Sequence, residues 1–263
     1  MFLPFTFRIL HVIIRIISEH TPLVTHLQED FMTYSEFISE IKYFWHLRGK
    51  GLKKQANSHL SGFARHFRES VPESSADAIL CRFCREYIDE LKYPGDQLPR
   101  RHLPFQISEL LRRYLTRECA KNHMPQMRWA CQLFGNCYDP ENPDTHCATH
   151  SLLERAYAHE ACDQETVELF FGEQLSILWW GQHHFPDTCL ITPDTFRNTV
   201  RTAGEILSEK YVSPSAAADL EYYVKLYQLY FTWDENGRDG EFDELCRAGG
   251  LDFSPLPAYY IKD

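Results

Sequence analysis

The clearest hydrophobic periodicity in the chain lies in residues 151–180, SLLERAYAHEACDQETVELFFGEQLSILWW. In its second half Val167, Phe170, Phe171, Leu175, Leu178 and Trp179 wind into one stripe of a 3.6-residue helix, with Gln174 in the remaining slot. Asp163 stands where an N-cap carboxylate accepts from the free N–H groups of a first turn, and Glu165 and Glu168 suit the positive end of the helix dipole. Leu152, Leu153, Ala156 and Tyr157 make a shorter apolar face, with Glu154 and Arg155 pointing away from it. Two antiparallel helices are predicted, joined by a turn at 160–163. Such a pair leaves the outer half of each apolar face wet, so further helices must flank it.

The pattern recurs on both sides. Thr33-Tyr34-Ser35-Glu36 is a capping box, and Phe37, Ile41, Phe44 and Trp45 carry a first helix to Gly49. A second runs from Leu52 through Ala56, Leu60, Phe63 and Phe67. Ser74 or Ser75 is expected to cap a third, with Ile79, Leu80, Phe83, Cys84, Tyr87, Ile88 and Leu91 inside and Pro94-Gly95 closing it. A Pro- and Arg-rich link at 93–104 marks a subdomain boundary. Ile107, Leu110, Leu111, Tyr114 and Leu115 predict a fourth helix, and Trp129, Ala130, Leu133 and Phe134 a fifth from about Pro125; YDPENPDT at 138–145 reads as a loop. After a loop at 181–191, Thr192-Pro193-Asp194 and then Ser213-Pro214 each supply an N-cap and a proline at the first helical position. The helix after Ser213 is apolar almost all round, and 234–245 turns into a short last helix with Phe242, Leu245 and Cys246.

The expected fold class is all-α. Helix pairs starting near Phe105, Ser151 and Pro193 recur about every 40 residues, which predicts stacked antiparallel helical hairpins in a solenoid-like array of the tetratricopeptide or HEAT kind. A solenoid offers a concave groove to a partner.

Composition adds an organisation to this picture. The first 31 residues contain an apolar run broken by Arg8, His11 and Arg15, which suits neither a bilayer span of about 20 apolar residues nor a secretory signal. They are expected to be a non-core extension from an upstream start, with Met32 the true first residue. Residues 32–93 then form an N-terminal helical subdomain and 104–263 a helical-repeat-like region. Nine cysteines, an odd number without the spacing of a small secreted scaffold, indicate a reducing, cytoplasmic setting with most thiols buried.

The net charge of −10 is unevenly spread. Residues 32–131 carry 17 Lys and Arg against 11 Asp and Glu, whereas 132–263 carry 8 against 23. An acidic half of this kind either solvates outer helix faces or attracts a basic partner. The basic run Arg48, Lys50, Lys53 and Lys54 could touch phosphates, but the neighbouring Phe63 and Phe67 lie on the apolar stripe, so nucleic-acid binding is not favoured.

Motifs for chemistry are thin. Cys81-Arg-Phe-Cys84 sits mid-helix without a second pair. Cys131, Cys137, His146, Cys147, His150, His159 and Cys162 are dense in zinc-type ligands but match no standard finger, so no metal or other cofactor is assigned. The alternative to a binding protein is a metal-dependent hydrolase using His183 and His184, with Glu173 and Asp187 nearby in sequence. Residues 234–245 resemble a calcium loop only until counted, since Asp239 replaces the glycine at six and Leu245 the glutamate at twelve.

Arg128-Trp129-Ala130, the YDPENPD loop, Leu152-Leu153-Glu154-Arg155-Ala156-Tyr157 and His183-His184-Phe185-Pro186 together resemble uncharacterised bacterial helical proteins of the tetratricopeptide-like kind, over roughly 125–207. Some of these stand beside secreted toxins and are thought to be immunity proteins. The resemblance implies a non-catalytic protein that neutralises a toxin, and it assigns no residue; that the partner is basic follows from the acidic half. The acidic half itself nominates Glu154, Glu160, Asp163, Glu168, Glu173, Asp234, Glu235 and Asp239 as partner contacts, with no catalytic residue.

Overall fold

The Thr33 capping box opens the first helix: Thr33 Oγ1 accepts from the Glu36 N–H, and the Glu36 carboxylate accepts from the Thr33 N–H at 2.6 Å. A computed structural model of the chain describes residues 32–92, 103–139 and 142–254, with the backbone alone for 136–139 and 142–150. The proposed extension at 1–31 and the Pro94-Gly95 stop lie outside the described residues. The chain divides into two compact units, one ending at His102 and one beginning at Leu103.

In the first unit, α1 (Tyr34–Gly49) and α2 (Lys53–Ser70) pack through their stripes, and α3 (Glu73–Cys84) follows. Phe37, fully buried, gathers Phe63, Phe67 and Phe83 at ring-centroid distances of 5.8, 5.4 and 5.7 Å. The cap expected at Ser74 or Ser75 is displaced. Pro72, with φ −55°, already presets the helical entry and α3 starts at Glu73.

The inner face expected for α3 fails at its end. Arg85–Asp89 form a π turn, whose wider winding advances the register. Glu86 consequently turns inward, 5% exposed, where Tyr34 Oη donates to it at 2.9 Å and Arg82 and Lys92 pair with it. Leu91, expected inside, is half exposed and lies at φ +50°.

The second unit runs α4 (Phe105–Ala120), α5 (Gln126–Phe134), β1 (Asn136–Asp139), β2 (Asn142–Ala148), α6 (Thr149–Tyr157), α7 (Gln164–Gly181), α8 (Pro193–Glu209), α9 (Pro214–Glu235) and α10 (Phe242–Ala248). The loop expected at 138–145 is instead a short antiparallel hairpin in which Asn136 faces Ala148 and Cys137 faces Cys147. Apart from this hairpin every described element is helical. Successive helices pack on one another from α4 to α8, and α9 returns onto both α7 and α8.

The core of this unit forms where α7, α8, α9 and α10 meet. Phe185 stacks on Tyr230 with centroids 3.9 Å apart, Phe196 stacks on Tyr227 at 4.8 Å, and Phe242 closes the cluster edge-on to Phe185 and Tyr230. All five rings are buried. The caps read at Asp163, Thr192 and Ser213 each accept from the backbone N–H three residues on. Trp179, assigned to the buried stripe of α7, is instead 45% exposed near the helix end. Among the described residues no helix is long and apolar enough to cross a membrane.

Candidate partner-binding groove

Three consecutive helices build a groove in the second unit. Its floor is the α7 stripe Phe170, Gln174 and Ile177, where Gln174 Nε2 donates back to the Phe170 carbonyl. One wall is α6, through Glu154 and Tyr157. The other is a single face of α8 carrying Thr195, Asn198, Arg201, Thr202, Glu205 and Glu209. Two adjoining depressions of about 290 and 390 Å³ share Glu154, Arg201 and Thr202 and so form one continuous feature. From Thr195 to Glu209 the α8 wall measures about 20 Å, the length of about six extended residues.

The groove is negatively charged. Arg201 pairs with Glu205 at 3.3 Å, one turn along α8, and the lining carries three carboxylates, Glu154, Glu205 and Glu209, to one guanidinium. The Tyr157 hydroxyl reports this field: partial burial raises its pKa first, and Glu209 and Glu205 add to the shift. A cation entering here would meet acids from both walls.

Arg155 sets the position of the α6 wall. It donates to the Cys119 carbonyl at 2.6 Å and to Asn122 Oδ1, tying α6 to the C-terminal end of α4, where a cation is favoured. On the other side of the α6–α7 turn, the buried Arg128 guanidinium pairs with Asp163 at 3.0 Å. These two contacts orient Glu154 and Tyr157 over α7.

The eight acids nominated from the sequence separate into four places. Glu154 lines the groove. Glu160, Asp163 and Glu168 lie at the N-terminal end of α7. There Asp163 is committed internally, one oxygen to Thr166 and the other to Arg128, and Glu168 accepts from Gln164. Glu173 is half-buried on α7 and is not among the lining residues. Asp234, Glu235 and Asp239 are exposed around the end of α9, beside the loop that follows α7, because Arg238 bridges Asp234 and the Asp187 carbonyl. The two ends of α7 are about 25 Å apart, so these acids do not form one focus. Glu205 and Glu209 were missed: their spacing on the polar face of α8 is visible in sequence, but the neighbour that face looks toward is not.

His183 and His184 form an aromatic cluster with the exposed tryptophans: His183 lies 5.6 Å from the rings of both Trp179 and Trp180 and 5.2 Å from His184. Among the described residues no three His, Cys, Asp or Glu side chains converge to hold a metal ion. The side chains of Cys137, His146, Cys147 and His150 lie outside the described residues, so that cluster is not addressed by this geometry. Among the described cysteines, Cys84, Cys119 and Cys246 are buried, and Cys81, Cys131, Cys162 and Cys189 are partly exposed.

Comparison with protein-family models, curated proteins and solved structures finds no match. The groove and its charges therefore carry the functional argument.

Proposed function

We propose that this is a non-catalytic binding protein whose groove across α6, α7 and α8 receives a basic, extended segment of a partner protein. The observation that carries the reading is that Glu154, Glu205 and Glu209 line one groove, with Glu209 and Glu205 acting on the Tyr157 hydroxyl, over an apolar floor provided by Phe170 and Ile177. Such a surface discriminates by charge along its walls and by shape at its floor. The resemblance to immunity-type proteins adds a finer proposal, that the partner is a basic toxin which the chain neutralises. A solenoid-like stacking of the helix pairs fits this role; their first helices begin at Phe105, Thr149 and Pro193, two equal intervals of 44 residues.

The test is a pull-down of the full chain from its native lysate with stepwise salt elution, repeated with Glu205→Gln/Glu209→Gln and, as a control, Asp234→Asn/Glu235→Gln. A basic partner retained by the wild type and the control but released at lower salt by the groove variant supports the reading. Equal retention by all three sinks it.

A further inference from the structure

The two halves of the groove differ in chemistry, and the difference runs along α8. In the half of about 290 Å³ the lining includes Tyr157 and Glu209, which are also the last residues of α6 and α8. Two helices therefore bring their C-terminal ends, with partial negative charge on the last carbonyls, to the place lined by the exposed carboxylates of Glu205 and Glu209. Tyr157 and Phe170, with ring centroids 5.1 Å apart, offer an apolar face to the methylene stem of a long cation. In the half of about 390 Å³ the first part of α8 contributes Thr195, Asn198 and Thr199, all uncharged. Thr195 stands in the first turn, where the helix dipole disfavours a cation. Arg201 lines both halves and disfavours a cation between them.

The spacing of these groups translates into a spacing on the partner. Glu205 and Glu209 are separated by a helical rise of about 6 Å. In an extended segment alternate residues point to one side about 6.5 Å apart, whereas neighbours point to opposite sides. Back along α8, Asn198 and Thr195 lie about 10 and 15 Å from Glu205. A residue four further along the extended segment reaches about 13 Å on the same side and falls between them. We propose that the partner segment carries two cations on alternate residues, held by Glu205 and Glu209, and a serine, threonine, asparagine or glutamine four positions beyond, held by Asn198 and Thr195. This pattern rests on the groove being the binding site and adds to it an order along the bound chain.

The experiment measures binding of labelled seven-residue peptides to the full chain by fluorescence anisotropy at low salt. All share one composition, two lysines, one asparagine and four alanines, so their general attraction to an acidic surface is equal. The lysines stand at the first and third, first and second, or first and fifth positions, with asparagine last, and each peptide is also made in reverse order to cover both chain directions. The peptide with alternate lysines, in one of the two orders, is expected to bind about threefold to fivefold tighter than the others, the worth of one well-placed exposed ion pair. That preference should vanish in Glu209→Gln, and replacing the asparagine by a third lysine should not tighten binding. Equal affinity for every spacing, or a preference that survives Glu209→Gln, would overturn the pattern; if Glu205→Gln/Glu209→Gln still weakens all the peptides, the groove itself stands. Affinities unmoved by that double substitution would overturn both.

Discussion

Glu118 illustrates how a single side chain holds a helix end. Burial pushes its carboxyl pKa up, but hydrogen bonds from Lys121 at 2.8 Å and His123 at 2.7 Å, with their charges, outweigh it and leave the group below its ordinary value. A carboxylate with a depressed pKa stabilises the fold above the unfolded value, and that contribution is lost as pH falls through the folded one. Glu118→Gln is expected to cost about 1 kcal/mol at neutral pH, a modest figure because both its partners are half exposed. Denaturant titrations of wild type and variant should converge in acid; a constant difference across pH would assign the effect to packing instead. Gly181 is the other informative single position. An added Cβ would fall inside van der Waals contact of Tyr227 Oη and 2.7 Å from Ile191 Cγ1. Gly181→Ala should destabilise by about 1 to 3 kcal/mol as overpacking, read as a lower urea midpoint at unchanged slope.

At the scale of elements, most helices were readable because their stripes and caps are local. Thr33, Asp163, Thr192 and Ser213 each do what their position before an apolar run predicts. The misreadings have tertiary causes. The π turn after α3 swaps Leu91 for Glu86 on the inner face, and the buried carboxylate is tolerated only because Tyr34, from α1, and Arg82 and Lys92 reach it. Trp179 obeys helical spacing yet is exposed with Trp180, its ring against His183. The hairpin at 136–148 was hidden by Asn, Asp and Pro residues that read as a loop, and its strands depend on pairing with each other rather than on alternation. The groove was the least legible feature. The acidic excess is visible in composition, whereas the convergence of Glu154 with Glu205 and Glu209 depends on Arg155 fastening α6 to α4.

For the whole molecule, the acids divide between the groove and the two ends of α7, and this has a measurable signature. A lysine-rich peptide of about six residues can occupy the groove alone, so the salt dependence of its affinity should be shallow. A full-length partner held by the groove alone should show the same shallow dependence, whereas one that also reached the acids around Asp234 would associate with a rate that falls steeply once screening shortens to about 8 Å near physiological salt. Stopped-flow association at several salt concentrations separates the cases, and equal slopes would confine the interaction to the groove.

The crossing of α9 over α7 also makes an internal optical probe. Tyr227 donates to the Leu178 carbonyl at 2.8 Å beside Gly181, and burial drives its phenol pKa far above the ordinary tyrosine range. A phenol whose folded pKa is raised stabilises the protein below its unfolded pKa, and that contribution disappears as pH climbs toward the folded value. In an alkaline ultraviolet titration Tyr227 will stay protonated until the two helices part, and its tyrosinate signal will arrive together with unfolding.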